Sequence, residues 1–439
     1  MKFIDKLIRV LLVGMILLSL YLSAKIWTNS GSKDVSQGNQ GTESTVTLKQ
    51  AKDVFLPVKL IYHNEEGKHL FTNKENLIVN VNKELIKLEI GSLSQYSDKD
   101  KNKFFEKQLK RNSLELFFSD PLPLNYFYEI NGSEPKKGPN QDMLFERMVL
   151  SFDDNKLYLM TDNDYQIYET TYKGSLSTIK ELLRDDNNRF LEVLHQDTEL
   201  PIFYHFKEDL KLKKYSYILA TQSYTAFSQA FFDNSQEIFP NDDNKESRDI
   251  NLMNAEGSSL NVSYNTGEIN FNGRYNPRKN HDTDRTETAT IYDGSFYYIE
   301  KIANSMGTLR YFERSKNQVV YRNYVEGYPI FSDHSRGRVE VTKQNQNVQI
   351  ATNQETIQVP IPSDEEVILP STEKVIADLK AQGVSLEDME SLQIGYTWET
   401  NQETKQVVDL VPEWYIKYQG EWTTITDLQP ETNRQGGEN

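Results

Sequence analysis

The sequence predicts an α+β protein: an N-terminal transmembrane helix, then three α+β domains with mainly antiparallel sheets, the last two of similar topology. Three observations predict it. One is the uncharged apolar run Val10 to Ala24 behind a basic opening. Another is a series of strand-like runs joined by short polar turns, the mark of hairpins and hence of antiparallel pairing. The third is a repeated order of helix, strands, helix, strands beyond residue 174.

Size and composition set the frame. A chain of 439 residues exceeds what one hydrophobic core usually serves, so two or three domains are expected. Apolar residues make up 37% and aromatics 11%, enough for several cores, so most of the chain folds. The net charge of −16 repels polyanions, which argues against nucleic acid as a partner. The same charge holds the folded part off an anionic lipid surface. With no cysteine, disulfides, Cys-ligated zinc and thiol catalysis are excluded.

Residues 1–9 carry Lys2, Lys6 and Arg9 and are expected on the cytoplasmic side, with the anchor at 10–27. The uncharged run holds 15 residues, short of the ~20 that a bilayer core prefers. Lys6, Arg9 and Lys25 can snorkel to lengthen it, and Tyr21 and Trp27 suit the outer headgroup zone. A cleaved signal peptide is the competing reading. Its candidate site, Leu22-Ser23-Ala24, has a bulky residue where a small one is wanted. Ser19 and Ser23 form a small-xxx-small pair, continued by Leu12 and Ile16, and this face is the expected contact with another membrane helix.

Residues 28–47, rich in Ser, Gly, Gln, Asn and Thr, read as a flexible linker. The first domain is expected over 48–173. It has strands at 58–62, 114–118, 148–152 and 157–160, and a helix at 101–110. The polar quartet Asp153-Asp154-Asn155-Lys156 reads as a hairpin turn. The second domain, 174–285, opens with a helix at 175–183 capped by Ser175, then strands at 202–206 and 215–220 and a helix at 224–232. A hairpin at 260–271 turns through Asn265-Thr266-Gly267. The polar stretch 276–286 reads as a boundary. The third domain, 286–428, has a helix at 295–302, strands at 319–325, 339–342 and 348–351, and a helix at 372–382 stopped by Gly383. Strands at 393–398, 406–410 and 414–418 close it, and 429–439 reads as a disordered tail.

Signatures of catalysis are sparse. There is no Gly-rich phosphate loop, no G-x-S-x-G and no H-E-x-x-H. The six histidines, 63, 69, 195, 205, 281 and 334, share no metal-ligand spacing on a helix and read as surface or packing residues. Ser177-Thr178-Ile179-Lys180 fits the S-x-x-K of penicillin-binding enzymes, and Ser263-Tyr264-Asn265 fits their S-x-N. The third element of that machinery, a Lys-Thr/Ser-Gly strand, is absent. A cell-wall-directed enzyme or ligand-binding module of that type stays as the alternative, and it predicts a deep polar pocket around Ser177 or Asp162. The acidic pairs Asp153-Asp154, Asp162 with Asp164, and Asp242-Asp243 lack the Gly and closing Glu of a calcium loop and read as solvated turns. No cofactor and no metal are expected.

Several marks in order carry a resemblance. They are the anchor from Leu18 to Trp27, the strand after Pro57, Tyr324-Val-Glu-Gly-Tyr-Pro-Ile-Phe331, Gly395-Tyr396, and Leu410-Val-Pro-Glu-Trp-Tyr415. With this length and topology, the chain resembles the YycH family, regulatory proteins of the WalK–WalR (YycG–YycF) two-component system of low-GC Gram-positive bacteria. The resemblance implies a non-enzymatic, membrane-anchored regulator of cell-wall homeostasis signalling, with its bulk outside the cell. Its implied partners are the sensor histidine kinase WalK (YycG) and the protein YycI, met through transmembrane helices and extracellular contacts, with a homodimer as a further assembly. It also implies a last domain like YycI. Outside the membrane, Tyr324, Glu326, Gly327, Tyr328 and Pro329 form the expected interaction segment, with Gly327 free to take positive φ and Pro329 stiffening the exit.

Overall fold

In strands that bury one face, side chains alternate, and cross-strand register lines up the apolar ones. A computed structural model of the chain shows this directly. The structure describes Met15 and residues 49–133, 143–185, 188, 190–195, 204–232, 238–240, 248–275, 287–401, 404 and 406–428. The chain divides into two compact units, 1–47 and 48–439. In the first unit only Met15 is described, and it is helical. Most of the expected anchor at 10–27, the linker at 28–47, the boundary at 276–286 and the tail at 429–439 lie outside the described residues. Among the described residues no helix is long and apolar enough to cross a membrane.

The second unit is α+β with mainly antiparallel sheets. Its first sheet has ten strands and is built on the meander Ser113–Pro123, Leu144–Ser151, Lys156–Thr161 and Gln166–Lys173. Asn155, at φ 52°, makes the turn expected at 153–156. Leu60, Leu116, Met148, Leu159 and Tyr168 are paired in one row across five strands and face the main core. Helix Glu75–Leu85 contributes Leu77, Ile78, Val81 and Leu85 to that core. The expected helix at 175–183 runs Ser177–Arg184, with Ile179 and Leu183 buried. Ser175 does not cap it in the expected sense, since Leu176 holds the N-cap position. Its Oγ instead accepts weakly from the Ser177 N–H at 3.3 Å.

The second sheet has fourteen strands. Seven consecutive pairs join Glu268–Arg274 to Asn347–Asn353. Tyr215–Thr221 lies between Glu355–Ile361 and Val407–Tyr418. Pairing therefore crosses the borders expected at 173/174 and 285/286. On the first sheet Leu191–His195 pairs with His69–Thr72, and on the second, strands from both sides of residue 285 share one ladder. A linear division assumes that sequence neighbours are spatial neighbours, and long-range pairing overrides it here.

The strands expected separately at 406–410 and 414–418 are one strand, Val407–Tyr418, running through Pro412. On its outer edge Tyr215–Ile218 pairs only as far as Leu410, and Glu421–Thr424 begins only at Tyr415. Pro412 falls in the gap between those partners, where its missing N–H interrupts no ladder on that edge.

An aromatic knot ties the elements together. The Phe55 ring meets Tyr126 at 5.1 Å, Tyr311 at 5.2 Å, Tyr321 at 5.9 Å and Tyr292 at 6.0 Å between centroids. Tyr292, on helix Glu287–Ile299, donates to the Pro121 carbonyl at 2.8 Å. Arg310 binds Glu75 at 2.5 Å and the Asp53 carbonyl. These contacts hold the two sheets on either side of a cleft.

Candidate functional site

The face of the first sheet that turns away from the main core carries charge. Register sets Lys59 opposite Phe117 and Phe117 opposite Arg147, so two cations flank one ring. Lys59 Nζ lies 3.8 Å, and the Arg147 guanidinium carbon 4.6 Å, from the Phe117 centroid. Arg147 grips Asp162 through Nε at 2.5 Å and Nη2 at 2.7 Å, and binds buried Glu115 through Nη1. Tyr204 donates to Glu115, and the Asp162 N–H donates to buried Glu146.

Beyond Glu115 the same face gathers histidines. His63 and His69 are directly paired, with their Nδ1 atoms 2.7 Å apart. His195 pairs with Tyr204 on the adjoining strands. The fold thus assembles three histidines that sequence spacing leaves apart, because their proximity comes from strand pairing. Among the described residues no group of three or more His, Asp or Glu could hold a metal ion.

These surroundings shift the titrating groups. Burial works to raise the Glu115 carboxyl, but Arg147, His63 and Tyr204 outweigh it and hold the pKa at about 2. Burial and the like charge of Arg147 bring Lys59 down to about 8, against the pull of Glu115 and Asp162. Glu146 is raised well above the carboxylate range by burial and by Asp162 beside it. Burial, then His63 and His195, lowers His69 to about 4.

A cleft of about 510 Å³ opens over this face. Lys59, Phe117, Glu146, Arg147, Asp162 and Tyr204 line it on one side, and Phe312, Glu313, Glu390, Trp414, Lys417 and Trp422 line it from the second sheet. Tyr324, Gly327, Tyr328 and Pro329 of the expected interaction segment also line it. Their hairpin pairs Tyr324 with Pro329 and Val325 with Tyr328, leaving a two-residue turn. Glu326 at φ 49° and Gly327 at φ 80° take the paired left-handed conformations of a type I′ turn. Tyr324 and Tyr328 are buried, so this segment is part of the wall and not a free surface.

The other expected sites fall elsewhere. Leu12, Ile16, Ser19 and Ser23 lie outside the described residues. Ser177 is exposed and bonds Ser175 at 2.9 Å, while Lys180 Nζ sits 5.2 Å from the Phe152 centroid. No hydrogen bond joins the Ser177 and Lys180 side chains, so the nucleophile–base contact of that enzyme type is missing. Asp162 lines the cleft; Ser177 does not. Lys59, Glu115 and Arg147 escaped notice in the sequence. Their signal is a charge inside an otherwise apolar strand, as in Leu114-Glu115-Leu116.

Comparison with known proteins gives four results. The crystal structure of YycH from Bacillus subtilis superposes with a TM-score of 0.68 at 16% identity, covering 87% of this chain and 98% of that one. An uncharacterized protein from Eubacterium rectale ATCC 33656 aligns at a TM-score of 0.27 and 10% identity, over 47% of this chain and 77% of that one, and carries no argument. No curated protein matches in sequence. The family model for the YycH protein N-terminal domain matches residues 6–190 and that for the C-terminal domain matches 202–432, so the chain belongs to the YycH family.

Proposed function

We propose that the chain is a non-enzymatic, membrane-anchored regulator of the sensor histidine kinase WalK (YycG), acting together with YycI. The observation that carries this reading is the match of both YycH domains along the chain, since family membership supports a regulator of the YycG/WalK system in general. That family is regulatory and non-catalytic.

In this reading residues 10–27 span the bilayer with the N-terminus inside, and 28–47 link the anchor to an extracellular portion. Leu12, Ile16, Ser19 and Ser23 form the helix face that meets the kinase or YycI, the two serines allowing close approach. Anchoring confines the partners to two dimensions, and weak contacts gain from the resulting effective concentration. A kinase poised between two states needs a differential affinity of only ~1–3 kcal/mol to change output several-fold. A homodimer is a further assembly of the same kind.

Replacing Ser19 and Ser23 together by Leu, with the chain at its normal level, tests the helix contact. A reporter gene under the response regulator is expected to shift several-fold. An unchanged reporter, with the variant still in the membrane fraction, removes the helix-contact mechanism.

A further inference from the structure

We propose that the cleft between the two sheets is a binding site for a small monocarboxylate with an apolar body, its carboxylate paired with the Lys59 ammonium. Carboxylates outnumber cations there, with Asp120, Glu146, Asp162, Glu313 and Glu390 against Lys59, Arg147 and Lys417. Each of those carboxylates already has a donor. Asp162 is gripped twice by Arg147, and Glu146 takes the Asp162 N–H. Lys417 holds Glu313 at 3.0 Å and Glu390 at 3.7 Å. Asp120 accepts from Tyr311 Oη and the Arg314 N–H, both at 2.9 Å.

Arg147 is saturated by Asp162 and Glu115. Lys59 differs: among the described residues its ammonium lies over the face of Phe117 and is attracted by Glu115 and Asp162, but no carboxylate or carbonyl accepts a hydrogen bond from it. An ammonium so placed is short of an acceptor, which one ligand carboxylate would supply, while the surplus of carboxylates around it disfavours a second negative charge. A dianion would meet the surrounding carboxylates as well. Trp414 donates its indole N–H to the Pro370 carbonyl and Trp422 to Glu313, so polar demands on that wall are met, and half-buried Val58, Phe117, Phe206 and Trp422 give the cleft apolar lining for an apolar body. The volume, about 510 Å³, falls in the range of small-molecule sites. This inference does not depend on the anchor or on its helix contacts.

The test uses the full chain in detergent micelles with phenylacetate, its neutral counterpart phenylacetamide, phenethylamine and inorganic phosphate, followed by calorimetry. Phenylacetate is expected to bind at least about tenfold more tightly than phenylacetamide at pH 7, the scale of a charge-assisted hydrogen bond. That preference is expected to fall as the pH rises above about 8, where Lys59 loses its proton. In Lys59→Met the two ligands become equal within about twofold, since the charged hydrogen bond is gone. A second measurement needs no variant: acylation of Lys59 by acetic anhydride, mapped by mass spectrometry, is slowed by phenylacetate and not by phenylacetamide. Equal binding of acid and amide, tighter binding of phenethylamine or phosphate, no binding at all, or an unprotected Lys59 would each overturn the proposal.

Discussion

Gly327 lies against the backbone carbonyl of Asn73, with no room between them for a β-carbon. The contact joins the second-sheet hairpin to the loop after strand His69–Thr72, and both residues line the cleft. Gly327→Ala therefore meets both a backbone obstacle and a φ of +80°. A loss of about 2–4 kcal/mol in denaturant unfolding of the full chain is expected. Gly383 shares that φ but has nothing within 4 Å, so Gly383→Ala isolates the conformational part, about 1 kcal/mol. Equal losses at the two positions would refute the close approach.

Glu115 and Arg147 form a buried pair extended by Tyr204 and Asp162. Glu115→Gln leaves Arg147 with less compensation in a dry setting, and a loss of about 3 kcal/mol at pH 7 is expected. With its pKa lowered from 4.5 to about 2, Glu115 contributes stability that is present above about 4.5 and lost as pH falls through about 2. Acid unfolding of the wild-type chain should therefore draw on this group, and Glu115→Gln should flatten that limb.

Asp120 behaves with the opposite sign. Burial raises it from 3.8 to about 6, against the donors Tyr311 and Arg314. Its folded form holds a proton that its unfolded form releases, so its contribution is complete below about 3.8 and is lost as pH rises through about 6. Asp120→Asn should make stability less dependent on pH between 4 and 7, read from urea midpoints across that interval.

Ser177→Ala tests the enzyme alternative. The hydroxyl is exposed and bonded to Ser175, so stability should stay within about 0.5 kcal/mol. Reporter output under the response regulator should not move. A loss of output with an intact fold would restore a catalytic role to this serine.

The legible part of the fold was local. The apolar runs at 148–152 and 157–160 and the turn at 153–156 are short-range features, and the hairpin there forms as the residues suggest. Helices with an apolar face and a clear stop, such as Thr372–Ala381 before Gly383, were equally readable. What escaped depends on distant pairing. Nothing near Lys59 in sequence announces Phe117 or Arg147, yet register makes them neighbours. Helices Glu75–Leu85 and Leu124–Ile130 were hidden by β-branched and aromatic residues, whose weak helical preference is overridden by packing into the core. Pro412 looked like a strand break because the gap on its outer edge is a tertiary fact.

Regulation of the kinase is most directly tested by the phosphorylated fraction of the response regulator WalR, compared in cells with the full chain at its normal level and in cells lacking it. A several-fold difference is expected, and the Ser177→Ala chain restores it in full. A phosphorylated fraction that stays the same with and without the chain would contradict it.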